Sequence, residues 1–168
     1  MEVDIKEMPA FRVGSIRHLG PYNQIAQAFE RLGAIAGPAG LFFDPHAAML
    51  AIYYDDPETT PQDRLRSDAA IAVSEHTTLP SQLAEQRIAG GTYARTVHRG
   101  PYDTLGDSWA RFMGEWLPAS GRRVGPGVSY EIYRNNPTNT PKEQLVTELY
   151  VPVTGETVEK SAGRKVEK

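Results

Sequence analysis

The chain repeats itself with an offset of 80 residues, and this duplication limits its possible folds more than any other feature of the sequence. The segment HLGPY at 18–22 recurs as HRGPY at 98–102. The same offset relates further identities: Ile52 and Tyr53 to Ile132 and Tyr133, Pro57 to Pro137, Thr60 and Pro61 to Thr140 and Pro141, and Leu65 to Leu145. Because self-similarity at one fixed spacing marks a repeated structural unit, the sequence predicts two copies of one unit.

Each copy contains one predicted helix. A Gly-Pro pair precedes each helix, and proline at the first helical position already has the backbone angle that a helix requires. Apolar residues then recur at helical spacing, which predicts one buried face per helix: Ile25, Ala28, Phe29, Leu32 and Ile35, and in the second copy Leu105, Trp109, Phe112, Met113 and Trp116. Gly37 with Pro38, and Leu117 with Pro118, predict the helix ends because proline cannot continue a helix.

The remaining periodic segments are rich in β-formers. A short strand is predicted at 10–17, and hairpins are predicted from 49–54 with 69–73 and from 128–133 with 146–153, around the turn sequences DDPETTP and NNPTNTP. The predicted fold class is α+β, with two pseudo-symmetric β-α-β-β repeats and antiparallel hairpins. Because neither repeat can bury its apolar face alone, the halves are expected to dock and to leave a ligand groove between them.

These patterns define one domain over residues 1–153, with repeat one at 3–76 and repeat two at 85–153. A linker is predicted around 77–85. The residues from 154 to 168 are polar and of mixed charge without apolar periodicity, so they are predicted to form a flexible tail.

Composition narrows the function classes. A net charge of −3 provides no general attraction to phosphate backbones, so a direct nucleic-acid partner is not expected. The absence of cysteine excludes disulfides and thiol nucleophiles. The start of the chain has no signal-peptide pattern and no segment reaches the length of a membrane span, so a cytoplasmic location without membrane association is expected. No cofactor or metal site is predicted.

Four segments carry a family resemblance: IYYDDPETTPQDRLRSD, IAGGTYARTVHRGPYDTL, SYEIYRNNPTNTPKEQL and TELYVPV. Together they resemble the GyrI-like small-molecule-binding domain family, which also forms the effector-binding part of AraC-type regulators. No helix-turn-helix precedes the first predicted strand, so the chain resembles free-standing members. The resemblance implies an aromatic pocket between the repeats over a central acid, which corresponds here to Glu131. It also implies a ring at Trp109 and a second matching acid at Glu148.

Strand alternation predicts how these groups are oriented. Ser129, Glu131 and Tyr133 share one face of their strand, which we expect to face the groove. The alternate apolar residues, including Tyr130 and Ile132, are expected to face the helices, and the following strand is expected to bring Glu148 close to Glu131. The candidate ligand-binding residues are Glu131, Trp109, Phe29, Tyr22, Tyr53, Tyr93, Tyr102, Tyr133 and Glu148.

A poorly solvated carboxylate among aromatic rings favours binding of a small hydrophobic or cationic molecule. Two other functions remain open. The resemblance implies a hydrolase of strained cyclopropane-bearing toxins, with Glu131 and Tyr133 as catalytic groups, and it implies a protein that modulates DNA gyrase or another protein partner. Simpler roles also remain: Trp109 and Phe29 as core residues, Glu131 as a solvated acid, and His18 and His98 as turn residues.

Overall fold

A computed structural model describes residues 1–155 of the chain. The predicted tail therefore lies outside the described residues, except at its start. Thr154 is the last residue of a strand and pairs with Arg123, so the sheet extends one residue beyond the predicted domain end.

The described residues form nine strands and three α-helices. The strands are β1 (Asp4–Met8), β2 (Phe11–Leu19), β3 (Ala48–Tyr53), β4 (Arg66–Val73), β5 (Ala84–Ile88), β6 (Gly91–Arg99), β7 (Arg123–Val124), β8 (Ser129–Tyr133) and β9 (Val146–Thr154). The helices are α1 (Ala26–Ala36), α2 (Leu105–Arg111) and α3 (Leu117–Ser120). This confirms the α+β class and both predicted hairpins.

One antiparallel sheet joins the two halves in the order β1-β6-β9-β8-β3-β4-β2-β5, and β7 pairs with the end of β9. The halves exchange their first strands: β1 pairs with β6 of the second half, and β5 pairs with β2 of the first half. Each repeat therefore has the order β-β-α-β-β, with one strand added at its start, and the second repeat also contains the unpredicted two-residue strand β7. The two added first strands are mostly exposed edges with charged sequences, DIKEM and AEQRI, so they lack the apolar pattern of a buried strand.

The turn before each helix is the same in both halves. Gly20 and Gly100 have φ values of 121° and 126°, which side chains rarely adopt, and their N–H groups donate to the carbonyls of Leu65 and Leu145. A short 3₁₀ turn then leads into α1 or α2. The Gly-Pro pair therefore precedes each helix, as predicted, but the prolines are not the first helical residues: Pro21 and Pro101 are extended, and α1 and α2 begin only after the 3₁₀ turns.

The second helix does not end at Pro118, contrary to the prediction. A π-helical segment, Phe112–Trp116, follows α2, and the N–H of Leu117 donates to the carbonyl of Phe112. Pro118 then lies in the first turn of α3, where proline is tolerated because its missing N–H is not needed. The helical region continues to Ser120 and ends at Gly121 in the left-handed conformation.

The sheet is curled so strongly that one of its faces packs on itself. The rings of Phe11 on β2 and Tyr130 on β8 lie 5.7 Å apart, although β3 and β4 separate their strands. Tyr130, Ile132 and Leu50 are buried in this cluster together with Tyr93 and other residues of the same face. The prediction that Tyr130 and Ile132 face the helices is therefore wrong.

Both helices pack on the opposite face. The core under α1 includes Leu32 and Ile71, and the core under α2 includes Phe112, Leu149 and Val151. Among the residues described, no helix has the length and apolar character needed to cross a bilayer.

Candidate functional site

Glu131 lies on the pseudo-two-fold axis of the molecule. In the register between β3 and β8, Glu131 is directly opposite Ala51. The 80-residue offset makes these two residues equivalent positions of the repeat. The axis that relates the halves therefore passes between them, on the face that carries both helices.

The Glu131 side chain is buried and is held by neutral donors. The indole Nε1 of Trp109 donates to Oε1 at 2.7 Å, and the Tyr133 hydroxyl donates to Oε2 at 2.6 Å. Glu131 is only 2% exposed. Burial raises the pKa of its carboxyl above the ordinary value, although the hydrogen bonds from Tyr133 and Trp109 act in the opposite direction.

Aromatic contacts cross the axis from one half to the other. Trp109 on α2 lies edge-on to Tyr53 of the first half, with ring centroids 5.8 Å apart. Phe29 on α1 makes the equivalent contact with Tyr133 of the second half at 5.6 Å. Because Phe29 and Trp109 are repeat-equivalent, as are Tyr53 and Tyr133, these two contacts are symmetry copies. The seam between α1 and α2 is therefore closed by aromatic rings over Glu131.

Tyr22 and Tyr102 pack against the tyrosines of the two aromatic pairs that cross the axis. Tyr22 packs on Tyr53 with ring centroids 4.7 Å apart, and Tyr102 packs on Tyr133 at 5.3 Å. The hydroxyl of Tyr22 donates to the carbonyl of Asp55 at 2.7 Å. Burial, followed by the charge of Glu131, raises the pKa of Tyr53 and Tyr133 well above the ordinary phenol value, so both remain proton donors at neutral pH.

Glu148 does not converge with Glu131. It is opposite Ile132 in the register between β8 and β9, so its side chain lies on the other face of the sheet. There it accepts hydrogen bonds from Arg95 at 2.7 Å and Arg134 at 2.8 Å. Burial alone would raise the pKa of Glu148, but the hydrogen bonds from its arginine partners lower it to about 2. The expectation of two neighbouring acids is therefore wrong.

Tyr93 is also on the face away from Glu131. Its ring contacts Tyr130 and Tyr150, and its hydroxyl donates to the carbonyl of Ala89 at 2.6 Å. The structure thus brings together seven of the predicted site residues and separates Tyr93 and Glu148 from them; the assembled residues are Glu131, Trp109, Phe29, Tyr22, Tyr53, Tyr102 and Tyr133.

Comparison with known proteins agrees with this architecture. The family model described as "GyrI-like small molecule binding domain" matches residues 1–154. The chain belongs to the GyrI-like family. A protein named DNA gyrase inhibitor from Yersinia enterocolitica is 32% identical to this GyrI-like chain over 141 residues, covering 81% of the chain and 88% of the relative. A protein of the same name from Serratia proteamaculans is 35% identical over 144 residues, covering 81% and 88%.

Solved structures share the GyrI-like fold at low sequence identity. The crystal structure of the EcmrR C-terminal domain has a TM-score of 0.71 at 21% identity, covering 91% of this chain and 97% of that one. SAV2435 bound to tetraphenylphosphonium has a TM-score of 0.69 at 15% identity, covering 92% and 95%. At these identities the likeness establishes the fold alone.

A second acid of this GyrI-like domain is buried on the curled face of the sheet. Asp68 follows the charged segment RLRS, yet it is only 1% exposed. It accepts hydrogen bonds from Arg17 at 2.7 Å, Tyr54 at 2.5 Å and Gln86 at 2.6 Å. Asp68 is the repeat equivalent of Glu148, so each half buries one acid on the curled face.

Two residues were not predicted from the sequence. Ala51 is one, although the repeat register alone makes it the equivalent of Glu131. Ser108 is the other; it lies outside the aromatic site, and its hydroxyl is 2.7 Å from Nδ1 of His98. The expected turn role of the histidines is confirmed, since Nε2 of His18 and of His98 hydrogen-bonds the carbonyl of the proline three residues later.

Proposed function

We propose that this GyrI-like domain binds hydrophobic organic cations between α1 and α2, with Glu131 as the counter-charge. The observation that carries the proposal is a buried carboxylate held only by neutral indole and phenol groups. Within residues 1–155, Glu131 forms no ion pair with an arginine, lysine or histidine. A buried carboxylate without a cationic partner is costly, so a ligand cation would stabilise it.

The surrounding rings suit a flat or multi-ring cation. Each cation–π contact contributes about 0.5–2 kcal/mol, and apolar area buried by the ligand adds roughly 25 cal/mol per Å². The raised pKa of Glu131 implies that ligand binding and proton loss are linked, because a cation favours the ionised form. We therefore expect binding of the cation to strengthen as the pH rises toward neutrality.

The ligand would have to open the aromatic seam. The Trp109–Tyr53 and Phe29–Tyr133 pairs already occupy the space over the carboxylate. All four rings are partly exposed, so the seam can be reached from the surface of the molecule. We propose that the ligand separates these pairs and inserts between them.

Two aryl phosphorus probes that are similar in shape but differ in charge test the proposal. Titration calorimetry would compare tetraphenylphosphonium with neutral triphenylphosphine oxide on the wild type, Glu131→Gln and Glu148→Gln. We expect the cation to bind the wild type tighter than about 1 mM, which corresponds to roughly −4 kcal/mol. Glu131→Gln should lose at least about tenfold in cation affinity and little in affinity for the neutral probe. Glu148→Gln, on the other face, is the matched control. Equal cation affinity in the wild type and Glu131→Gln would refute the proposal.

A second candidate function is inhibition of DNA gyrase. Relatives that are 32% and 35% identical carry the name DNA gyrase inhibitor, and that similarity extends over most of both chains. The net charge of −3 favours a protein contact over direct binding to DNA. A supercoiling assay with purified gyrase tests this function. Inhibition that persists in Glu131→Gln would assign it to a surface other than the aromatic site, and no inhibition by the wild type would remove it.

Hydrolysis of a strained electrophilic ring is a third candidate at the same residues. The observation in its favour is the hydrogen bond of the Tyr133 hydroxyl to a carboxyl whose pKa is raised by burial, because an acid beside a phenol can act as general acid while the phenol orients the electrophile. Turnover of a cyclopropane-bearing compound should then be lost in Glu131→Gln and reduced in Tyr133→Phe. Binding without turnover would leave the protein as a binder.

A further inference from the structure

A serine–histidine pair lies at the base of α2, outside the aromatic site. The hydroxyl of Ser108 is 2.7 Å from Nδ1 of His98. On the other side of the ring, Nε2 of His98 is 3.0 Å from the carbonyl oxygen of Pro101 and 3.2 Å from the hydroxyl of Thr104, which itself donates to that carbonyl. His98 is 7% exposed, so its ring is held between Ser108 on one side and these two groups on the other.

The hydrogen bonds assign the proton positions. A carbonyl oxygen can only accept, so Nε2 of His98 carries the hydrogen that bonds Pro101. In the neutral ring Nδ1 then has a lone pair, and the Ser108 hydroxyl donates to it. A hydroxyl that donates to an imidazole held by a third group has the arrangement of an activated nucleophile. Here the third group is a backbone carbonyl.

The first half of the molecule provides an internal comparison. His18 is the equivalent of His98, and its Nε2 makes the same bond to the carbonyl of Pro21 at 2.9 Å. The equivalent of Ser108 is Ala28, which is 3% exposed and packs in the core under α1. The histidine–carbonyl bond therefore belongs to the fold, whereas the serine is an addition to the second half that the fold does not require.

Both groups of the pair open into a surface cavity. Its volume is about 510 Å³, which is sufficient for a small molecule. It lies beside the part of β6 that extends past the end of β1. The pair shares this cavity with Glu2, Asp4, Arg95, Arg99 and Arg111.

The charges of this cavity favour an anionic substrate. Three arginines line it, and Asp4 and Glu2 oppose them. Asp4 pairs with Arg95 at 3.3 Å, and Arg95 also binds Glu148. Within residues 1–155 Arg99 forms no ion pair, and the pair of Arg111 with Glu115 is exposed, so both guanidinium groups can bind the carboxylate of a ligand.

We propose that Ser108 and His98 form a second, nucleophilic site that hydrolyses small carboxylic esters carrying an anionic group. Oγ of Ser108 attacks the ester carbonyl carbon, and its proton moves to Nδ1 of His98. The bond to the leaving alcohol then breaks, and His98 returns the proton to the departing oxygen. Water attacks the acyl-serine, releases the carboxylic acid and restores Ser108.

This site is separate from the aromatic site. Trp109, the next residue of α2, donates to Glu131, but neither of them lines the cavity. Cation binding is tested by Glu131→Gln, and the serine–histidine pair is tested by Ser108→Ala, which leaves the aromatic residues unchanged. Failure of the cation-binding proposal and failure of this one can therefore be told apart.

Covalent labelling of Ser108 tests the proposal directly. The full-length protein would be incubated with an alkyl fluorophosphonate, and the adduct would be located by peptide mass spectrometry. We expect one adduct on Ser108 in the wild type and in Ser120→Ala, and none in Ser108→Ala. His98→Gln should slow labelling by about 100-fold or more, since a general base contributes that much. Because Ala28 occupies the equivalent position, Ser108→Ala is expected to fold normally.

Ester turnover provides the second measurement. The wild type should hydrolyse mono-4-nitrophenyl succinate faster than 4-nitrophenyl acetate, and Ser108→Ala should lose this activity. Ser120→Ala is the matched control, because the Ser120 hydroxyl donates to the carbonyl of Leu117 and has no histidine partner. Labelling of Ser108 no faster than Ser120, or equal ester hydrolysis by the wild type and Ser108→Ala, would overturn the proposal.

Discussion

Glu131 and Ala51 are paired directly across β3 and β8, and they are the same position of the repeat. At this position, where equivalent residues of the two halves pair with each other, one half contributes a carboxylate and the other a methyl group. Ala51 is fully buried, so its small side chain leaves Glu131 as the only charged group of the pair. The aromatic rings of the site therefore follow the two-fold symmetry of the repeat, whereas the charge of Glu131 does not.

Replacement of Glu131 should stabilise the unliganded protein at neutral pH. Burial raises the pKa of the Glu131 carboxyl above 4.5 in the folded state. The contribution of this group to the free energy of unfolding is therefore fully present below pH 4.5, where the carboxyl is protonated, and it is lost as the pH rises through the folded-state pKa. Glutamine cannot ionise, so Glu131→Gln does not lose this stability at higher pH. If the free energy of unfolding increases by about 1 kcal/mol, Tm rises by roughly 2–4 °C. Thermal unfolding of both proteins between pH 4 and pH 8 measures it, and a difference that does not grow with pH would contradict the assignment.

Replacement of Trp109 by phenylalanine isolates its hydrogen bond. The ring remains, as Phe29 does at the equivalent position, but the donor to Oε1 of Glu131 is lost. We expect the free energy of unfolding to fall by about 1–3 kcal/mol at pH 8, because the buried, ionised carboxylate of Glu131 loses one of its hydrogen-bond donors. The loss should shrink at low pH as the carboxyl protonates. Trp116→Phe is the matched control in denaturant unfolding, and equal losses in both variants would indicate a packing effect only.

Glu148 should have the opposite pH dependence. Its folded-state pKa of about 2 lies below the ordinary 4.5, so it contributes stability above pH 4.5 that is lost as the pH falls toward 2. That difference corresponds to roughly 3 kcal/mol at neutral pH. Glu148→Gln should be destabilised by this order at pH 7 and should approach the wild type near pH 2. Glu115→Gln, in an exposed pair with Arg111, should change little in the same titration.

Two buried hydroxyls should be dispensable. Ser67 and Thr147 are repeat equivalents, both are fully buried, and neither hydroxyl makes a hydrogen bond within the described residues. Ser67→Ala and Thr147→Val should be neutral or stabilising by up to about 1 kcal/mol, because each removes an unsatisfied polar group. Ser15→Ala is the contrasting variant, since the hydroxyl of Ser15 accepts a hydrogen bond from Gln86 at 2.7 Å. A larger loss at Thr147 than at Ser15 would argue against this account.

The repeat made most of the fold predictable. The Gly-Pro turns, both hairpins and the apolar faces of the helices follow from local patterns that occur twice. The exchanged strands were not predictable, because β1 and β5 are exposed edges whose pairing is decided by tertiary contacts. The continuation past Pro118 depends on a π-helical segment, which has no sequence pattern of its own.

The site was predicted in part for the same reason. Alternation on β8 correctly placed Glu131 and Tyr133 on one face. The ring of Trp109 near the central acid was implied by the family resemblance, and Phe29 is its equivalent in the repeat. The error lay in assigning the apolar residues Tyr130 and Ile132 to the helices. A sheet that curls onto itself buries both faces, so hydrophobicity alone cannot identify which face the helices cover.

The exchange of β1 and β5 ties the two halves into one cooperative unit. Separating them would break both exchanged pairings, β1 with β6 and β5 with β2, in addition to the pairing of β3 with β8 at the centre of the sheet. The halves are therefore expected to unfold together rather than one after the other. A molecule that binds above Glu131 would displace side chains on the helices and would leave the two halves joined.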